Sequence, residues 1–176
     1  IFGKVTKEVI PGSSDDLKII DITVEEAPTG EISAGAGVGT DGGSFAFDIS
    51  ENNWLGKGIK LSTYIDVSTD TVKGNLNVTQ PNYNFTGNDL FYNISSAKND
   101  KKADSGYENS ITSAGIGTSF EQYKDIFFAP SIALTYDDLT VDDTASSSMK
   151  KQAGAFTDFS GTFSVSVDQR DRAYMP

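Results

Sequence analysis

A strict alternation of apolar with small or polar residues between Gly30 and Ser50 constrains this chain more than any other feature. The apolar positions are Ile32, Ala34, Ala36 and Val38 in the first half and Phe45, Phe47 and Ile49 in the second. Alternation with period two places one set of side chains on each face of a β-strand. Because Asp41-Gly42-Gly43 between the halves favours a tight turn, the stretch predicts a β-hairpin.

The two faces of this hairpin leave its environment open. The apolar face could pack on a soluble core or could face lipid, whereas small and polar residues on the other face are typical of a wall around a water-filled lumen. Gly35, Gly37 and Gly39 lie on that second face. Since glycine gives little cross-strand packing and costs extra backbone entropy on ordering, the first strand is predicted to be a weak pairing partner.

The alternation continues along the chain and predicts eight strands from Gly30 onward. After the opening hairpin they cover residues 59–67, 71–80, 90–96, 110–120, 126–136 and 157–168. The pattern is weakest at 110–120, which is rich in glycine, and clearest at 157–168. Before Gly30, residues 2–10 and 17–26 predict a separate hairpin around a turn at 11–16, and such a hairpin buries too little surface to be stable alone.

The predicted connections sort by length. Those at 97–108 and 137–152 are long and charged, and they fall at the same end of the sheet as the tight turns near Asp41 and Asp70. The connections at the other end are of middling length. Long loops confined to one end are typical of outer-membrane β-barrels.

Composition excludes several function classes. The 176-residue chain has 14 basic and 25 acidic residues and a net charge of −11, which argues against nucleic-acid binding by a cationic surface. It has no cysteine and no histidine, so disulfides, thiol chemistry and histidine-based catalysis are excluded within it. No apolar run approaches the roughly 20 residues of a spanning helix. Because it opens at Ile1 without a leader, we expect an internal fragment.

Few features suggest a chemical site. The carboxylates at Asp15-Asp16, Asp137-Asp138 and Asp142-Asp143 could bind Ca²⁺, but they lack the spacing of a calcium loop and favour solvated loop charges. Residues 35–39 lack the lysine and the following helix of a phosphate-binding loop. The mixed charges at 168–172 favour a salt-bridged rim. We predict no catalytic residue, no metal and no cofactor.

Several segments resemble the BamA family of outer-membrane assembly factors, in which periplasmic POTRA domains precede a β-barrel. Residues 25–30, the glycine-alternating strand and residues 51–58 (Glu-Asn-Asn-Trp-Leu-Gly-Lys-Gly) are similar to the junction between the last POTRA domain and the barrel. Later landmarks follow in the same order at 78–81, 90–93 and 171–176. The resemblance covers nearly the whole chain apart from the two long loops.

The resemblance implies an all-β fold: an antiparallel up-and-down meander that forms a partial transmembrane β-barrel, preceded by the last hairpin of a POTRA domain. Residues 1–28 would be that hairpin, truncated and periplasmic, and residues 29–176 the first eight barrel strands, truncated and in the cell outer membrane. The implied function is non-enzymatic folding and insertion of β-barrel proteins. The implied partners are client outer-membrane β-barrel proteins, lipoproteins of the assembly complex and outer-membrane lipid, with no nucleic acid.

The resemblance also implies where clients bind. In this family the first barrel strand pairs weakly with the last, and the seam opens so that a client's terminal strand adds to it. An unpaired edge offers a row of N–H and C=O groups that an incoming strand satisfies. The implied client-binding residues are Ile32, Ser33, Ala34, Gly35, Ala36, Gly37, Val38, Gly39 and Thr40. Alternatively, the glycines permit tight curvature at a barrel corner.

A barrel also requires a definite sidedness. The residues predicted to face lipid are Phe45, Phe47, Ile49, Leu61, Ile65, Leu76, Val78, Ile132, Leu134, Phe163, Val165 and Val167. Those predicted to face inward are Asp48, Tyr64, Lys73, Asn75, Ser164 and Ser166. Aromatic residues predicted near the periplasmic rim, where they could form an interfacial girdle, are Trp54, Tyr83, Phe85, Tyr123, Phe127, Phe128 and Tyr174.

Four alternatives stay open at this point. Two are relatives within the same superfamily, a TamA-like assembly factor and a two-partner secretion transporter. The third is a passive porin-type channel, for which the hairpin before Gly30 is unexpected. The fourth is a soluble β-sandwich that acts as a binding module, and it would bury the apolar face in a dry core.

Overall fold

Two antiparallel β-sheets make up the computed structural model, which describes residues 2–14, 16–39 and 42–169. The strands are β1 (Phe2–Pro11), β2 (Lys18–Glu26), β3 (Gly30–Gly39), β4 (Gly42–Trp54), β5 (Ile59–Ser68), β6 (Thr71–Gln80), β7 (Asp89–Lys101), β8 (Tyr107–Tyr123), β9 (Ile126–Val141) and β10 (Gly154–Val167). A 3₁₀ turn covers Tyr83–Phe85, and two short helices are α1 (Lys102–Ser105) and α2 (Ser147–Gln152). Within these ranges, no helix has the length and apolar character needed to cross a membrane.

The strand order is the sequence order. β1 pairs with β2 in a two-stranded sheet, and the eight-stranded sheet runs from β3 to β10 with each strand antiparallel to its neighbours in the chain. In the described part of the chain, β3 and β10 are the two edges of this sheet and do not pair with each other. The predicted all-β fold, an up-and-down meander that is not closed on itself, is therefore confirmed.

The two ends of the large sheet differ. The end that carries the β3–β4, β5–β6, β7–β8 and β9–β10 connections is called the loop end, and the end next to residues 27–29 is called the junction end. At the loop end, Asp142 N–H donates to the Gly106 carbonyl at 2.8 Å, so the β7–β8 and β9–β10 connections pack on each other. Gly106 has a φ of 71°. A side chain there would also overlap the second connection, so this contact requires glycine.

The strands reach further into the loop end than predicted. β7 continues to Lys101 and β9 to Val141, so the two long connections are reduced to residues 102–106 and 142–153. Charged side chains match across these extensions: Glu108 accepts from Lys98 Nζ at 3.0 Å and from Lys102 Nζ at 2.7 Å. A search for apolar alternation misses such polar strand ends because their cross-strand pairs are ionic.

The register confirms the division into two faces. Directly opposed residues of antiparallel strands point to the same face. Phe45 opposes Val67, which opposes Val72, whereas Asp48 opposes Tyr64, which opposes Asn75. Following the pairs from β4 to β10 places all residues predicted to face lipid on one face, the apolar face, and all those predicted to face inward on the other, the polar face.

Neither face is covered by a second layer. Among the described residues, the only buried apolar one is Ala145, at 7% exposure in the loop end, while Phe163 on the apolar face is 64% exposed. The accessible surface is 12870 Å². A folded monomeric protein of 18.8 kDa would expose about 8,300 Å². The part of the chain that the structure describes therefore lacks the dry core that a soluble β-sandwich requires.

Candidate strand-accepting edge

The candidate site is the edge strand β3. It pairs with β4 along its whole length, from Gly30 opposite Glu51 to Gly39 opposite Gly42. All of its residues are exposed. Of the nine residues predicted from sequence, Ile32 to Gly39 lie on this strand, and Thr40 lies outside the described residues.

The pairing with β4 fixes which backbone groups of β3 are already used. The N–H of Asn52 donates to the carbonyl of Thr29 at 3.0 Å, which makes residues 29 and 52 a hydrogen-bonded pair. In antiparallel strands such pairs alternate along the ladder. The backbone groups of Glu31, Ser33, Gly35, Gly37 and Gly39 therefore face β4.

The opposite end of the hairpin supports the same assignment. Only two residues separate Gly39 from its partner Gly42, and a connection of this length normally joins a hydrogen-bonded pair. Gly39 and Thr29 are an even number of residues apart, so their backbone groups point in the same direction. Both ends of the hairpin thus agree on the direction of every backbone group between them.

Beyond Gly30, the alternate residues of β3 form the open edge. These four residues are Ile32, Ala34, Ala36 and Val38. Each directs one N–H and one C=O away from β4, and each points its side chain to the apolar face. Val38 is 94% exposed and Ile32 is 68% exposed. The register therefore divides the predicted site into an open-edge set and a set that holds β3 to β4.

From Gly35 to Gly39, the polar face of β3 is nearly empty. A Cβ atom added at Gly35 or Gly39 would meet no other heavy atom within 4 Å, and one at Gly37 would meet only Ser44 Oγ at 3.3 Å. The glycines therefore do not make room for a neighbouring side chain. They leave β3 attached to β4 by its ladder and by the contacts of the apolar face.

The glycines of β8 behave in the opposite way, and sequence patterning did not distinguish them. A side chain at Gly117 would overlap the ring of Phe91, and one at Gly115 would overlap the amide of Asn93. These glycines accommodate β7 side chains on the polar face. The sequence signal was the large residue at the opposed position, which only the register reveals.

Side-chain chemistry is sparse around the edge. In the ranges that the structure describes, no group of three or more acidic side chains converges in a way that could hold a metal ion. On the polar face, Tyr64 donates to Asp66 at 2.7 Å, and Lys73 lies 3.5 Å from the same carboxylate. What β3 offers a partner is backbone hydrogen bonding.

Aromatic residues lie at the junction end, as predicted. Trp54 ends β4, Tyr123 ends β8, and Phe127 and Phe128 follow Ile126 at the start of β9. Tyr83 and Phe85 lie in the 3₁₀ turn between β6 and β7. The Phe128 ring lies 6.1 Å from that of Phe120 and 5.5 Å from that of Phe163 on the apolar face. Tyr174 lies outside the described residues.

An antiparallel meander with one apolar and one polar face, no covering layer and an open edge strand defines part of an outer-membrane type of β-barrel. The chain belongs to the Omp85 superfamily, since the Omp85 superfamily domain matches residues 53–176.

A similar solved structure is the crystal structure of BamA from Haemophilus ducreyi lacking POTRA domains 1–3, with a TM-score of 0.70 and 23% sequence identity. The similarity covers 99% of this chain and 37% of that one. The chain thus has a BamA-like fold and spans just over a third of the chain in that structure.

Proposed function

We propose that this chain forms the N-terminal part of an outer-membrane β-barrel that folds and inserts client β-barrel proteins, with β3 as the strand that accepts a client strand. The observation that carries the proposal is the open edge of β3, where the backbone groups of Ile32, Ala34, Ala36 and Val38 have no partner on β4. Membership of the Omp85 superfamily supports the location in the outer membrane.

The physical basis is the cost of bare backbone groups in a bilayer. An unpaired N–H or C=O in hydrocarbon costs several kcal/mol, and the bilayer core offers no water to replace the lost bond. A client strand that pairs with the open edge satisfies its own groups as it enters lipid. Pairing through the backbone accepts many client sequences, and it requires no covalent chemistry or cofactor.

The side chains of the open edge suit this task. Ile32, Ala34, Ala36 and Val38 lie on the apolar face, so an added strand with the same alternation would extend the lipid-facing surface of the sheet. The empty polar face weakens the hold of β3 on its neighbours. Both properties favour a seam that opens and closes.

We also propose the domain assignment. Residues 1–28 form the last hairpin of a POTRA domain in the periplasm, and residues 29–176 form the first eight barrel strands. The separate β1–β2 sheet supports this division, because its apolar residues are uncovered: Val9 is 57% exposed and Ile22 is 60% exposed. Lipoproteins of an assembly complex are the partners expected on the periplasmic side.

A reversible lock on the seam tests the function. In the full-length protein, Ser33→Cys is combined with a cysteine at the facing position of the last barrel strand, and insertion of a client is measured in proteoliposomes. We expect the oxidised form to lose insertion and the reduced form to regain it, because the disulfide prevents strand addition without unfolding the barrel.

Each single-cysteine variant is the control, since it carries the substitution without the lock. Equal insertion by the oxidised and reduced forms of the double variant would remove β3 from the mechanism.

A further inference from the structure

The end of β4 is hydrogen-bonded to the segment that connects the two sheets. Residues 27–29 belong to no strand or helix. The carbonyl of Thr29 nevertheless accepts two hydrogen bonds from Asn52, one from the backbone N–H at 3.0 Å and one from the side-chain Nδ2 at 3.2 Å. Both donors of one β4 residue therefore hold the last residue before β3.

Glu51 adds further hydrogen bonds at the same place. Its Oε1 accepts from the N–H of Asn53 at 2.7 Å, and the side chain of Thr29 also hydrogen-bonds its carboxylate. Asn53 Oδ1 in turn accepts from the N–H of Gly58 at 2.7 Å, which connects these hydrogen bonds to the turn before β5. One carboxylate thus joins the connecting segment, the end of β4 and the next turn.

The backbone is shaped to allow this arrangement. The pairing of β4 with β5 shifts register after Glu51, so the end of β4 is free to turn toward the connecting segment. Glu51 Oε2 lies 2.7 Å from the place that a Cβ atom of residue 30 would occupy. Gly30 therefore lets the carboxylate lie over the start of β3, and any larger residue would displace it.

We propose that Glu51 and Asn52 form a clasp that anchors the junction end of β3, so that the strand separates from β4 starting at its loop end. The anchored end has side-chain bonds in addition to the ladder, whereas the glycine-rich part beyond Ser33 has the ladder and an empty polar face. For its consequence in client insertion this inference depends on the proposed function; the clasp itself depends only on these contacts.

Amide hydrogen exchange in the full-length protein in lipid nanodiscs tests the clasp. In the wild-type protein, the β4-facing N–H groups of Glu31 and Ser33 should exchange more slowly than those of Gly37 and Gly39. Glu51→Ala should accelerate exchange at Glu31 and Ser33 by about tenfold, the low end of the effect of losing one hydrogen bond to a charged group. Gly37 and Gly39 should change little.

Matched variants separate the clasp from a general effect of charge or folding. The carboxylate of Glu31 lies at the same end of β3 and makes no hydrogen bond or ion pair with the described residues. Glu31→Ala should therefore leave the exchange pattern intact. Glu51→Gln keeps an oxygen acceptor and should restore much of the protection. Gly30→Ala should accelerate exchange at Glu31 and Ser33 as much as Glu51→Ala does. Combining the two substitutions should cause no further acceleration.

The outcomes distinguish the clasp from the function. Uniform exchange along wild-type β3, or an unchanged pattern in Glu51→Ala, would overturn the clasp whatever the insertion assay shows. A lost gradient in Glu51→Ala with restoration by Glu51→Gln would support it. If the disulfide lock has no effect on insertion while this gradient is present, the proposed function fails and the clasp stands.

Discussion

Glycine has two different roles in this sheet. At Gly35 an added methyl group would meet open space, and at Gly117 it would overlap the Phe91 ring and approach Ser131 Cβ at 2.7 Å. The residue type is the same, but the register places one glycine beside nothing and the other beneath an aromatic side chain. Packing on the polar face therefore requires glycine at the second position and not at the first.

Alanine substitution should separate these roles. Gly35→Ala should raise the free energy of unfolding by about 0.4–1 kcal/mol, because alanine has fewer unfolded conformations and no clash here. Gly117→Ala should lower it by about 1–3 kcal/mol, because Phe91 must move. Urea unfolding of the full-length protein in detergent or lipid measures both values. Equal destabilisation by the two variants would contradict this assignment.

The β9–β10 connection is ordered by hydrogen bonds to Asp142. The hydroxyl of Thr144, and then its backbone N–H at 2.8 Å, lower the pKa of the Asp142 carboxyl, with smaller contributions from the N–H of Ala145 and from Lys150. Ser146 then caps α2 by accepting from the N–H of Met149 at 3.3 Å. The charged form of Asp142 is therefore the one that orders this connection.

This connection should loosen in acid. Because the pKa of Asp142 is lower in the folded than in the unfolded state, its stabilisation is complete above the unfolded value of about 3.9 and is lost as the pH falls through the folded pKa. Hydrogen exchange of residues 143–146 from pH 7 to pH 3, corrected for the intrinsic exchange rate, measures the loss.

Asp142→Asn should weaken protection at neutral pH and remove most of the pH dependence. The neighbouring Asp143→Asn, which alters the same charge beside the turn, is the control and should behave like the wild-type protein. Protection that stays constant down to pH 3 in the wild-type protein would show that Asp142 does not order the connection.

Across the whole molecule, the large sheet divides its side chains between an apolar face and a polar face. Val165 and Ser166 are neighbours on β10, yet the register places the first on the apolar face opposite Phe128 and the second on the polar face opposite Phe127. Their side chains should therefore lie in different solvents once the barrel is in a membrane. This sidedness is a direct consequence of period two.

A charge at these two positions should have unequal effects. Val165→Lys should lower the free energy of unfolding in lipid by about 2–4 kcal/mol if the site lies near the bilayer midplane, because the ammonium group enters hydrocarbon. Ser166→Lys, one residue away, should cost much less because it faces the lumen. Equal costs at the two positions would contradict the assignment of the faces.

Much of this architecture follows from the sequence. The predicted strand at 71–80 matches β6 residue for residue, because Val72, Leu76 and Val78 alternate there with polar residues. The extensions of β7 to β9 could not be predicted in this way, because ion pairs such as Lys98 with Glu108 replace the apolar alternation.

The direction of the backbone groups in β3 was within reach of the sequence but required one further step. The two-residue connection between Gly39 and Gly42 implies a hydrogen-bonded pair at its base, and the parity of the whole strand follows. The clasp at Glu51 was not accessible, because it depends on a register shift after Glu51 and on a carboxylate that lies over Gly30.

If β3 accepts a client strand, only its alternate residues can do so, and a proline scan distinguishes them from their neighbours. Proline removes one backbone N–H and is tolerated on a strand edge but not within a ladder. In the full-length protein, Ala34→Pro and Ala36→Pro should fold, because the lost N–H faces the open edge, but should lose client insertion in proteoliposomes. Ala34→Gly and Ala36→Gly keep the N–H and should retain insertion.

The intervening positions should show a different defect. Gly35→Pro and Gly37→Pro break the ladder to β4 and should impair folding of the barrel, measured by protease resistance in detergent. We therefore expect an alternating pattern, with loss of insertion but not of folding at 34 and 36, and loss of folding at 35 and 37. Wild-type insertion by well-folded Ala34→Pro and Ala36→Pro proteins would contradict it.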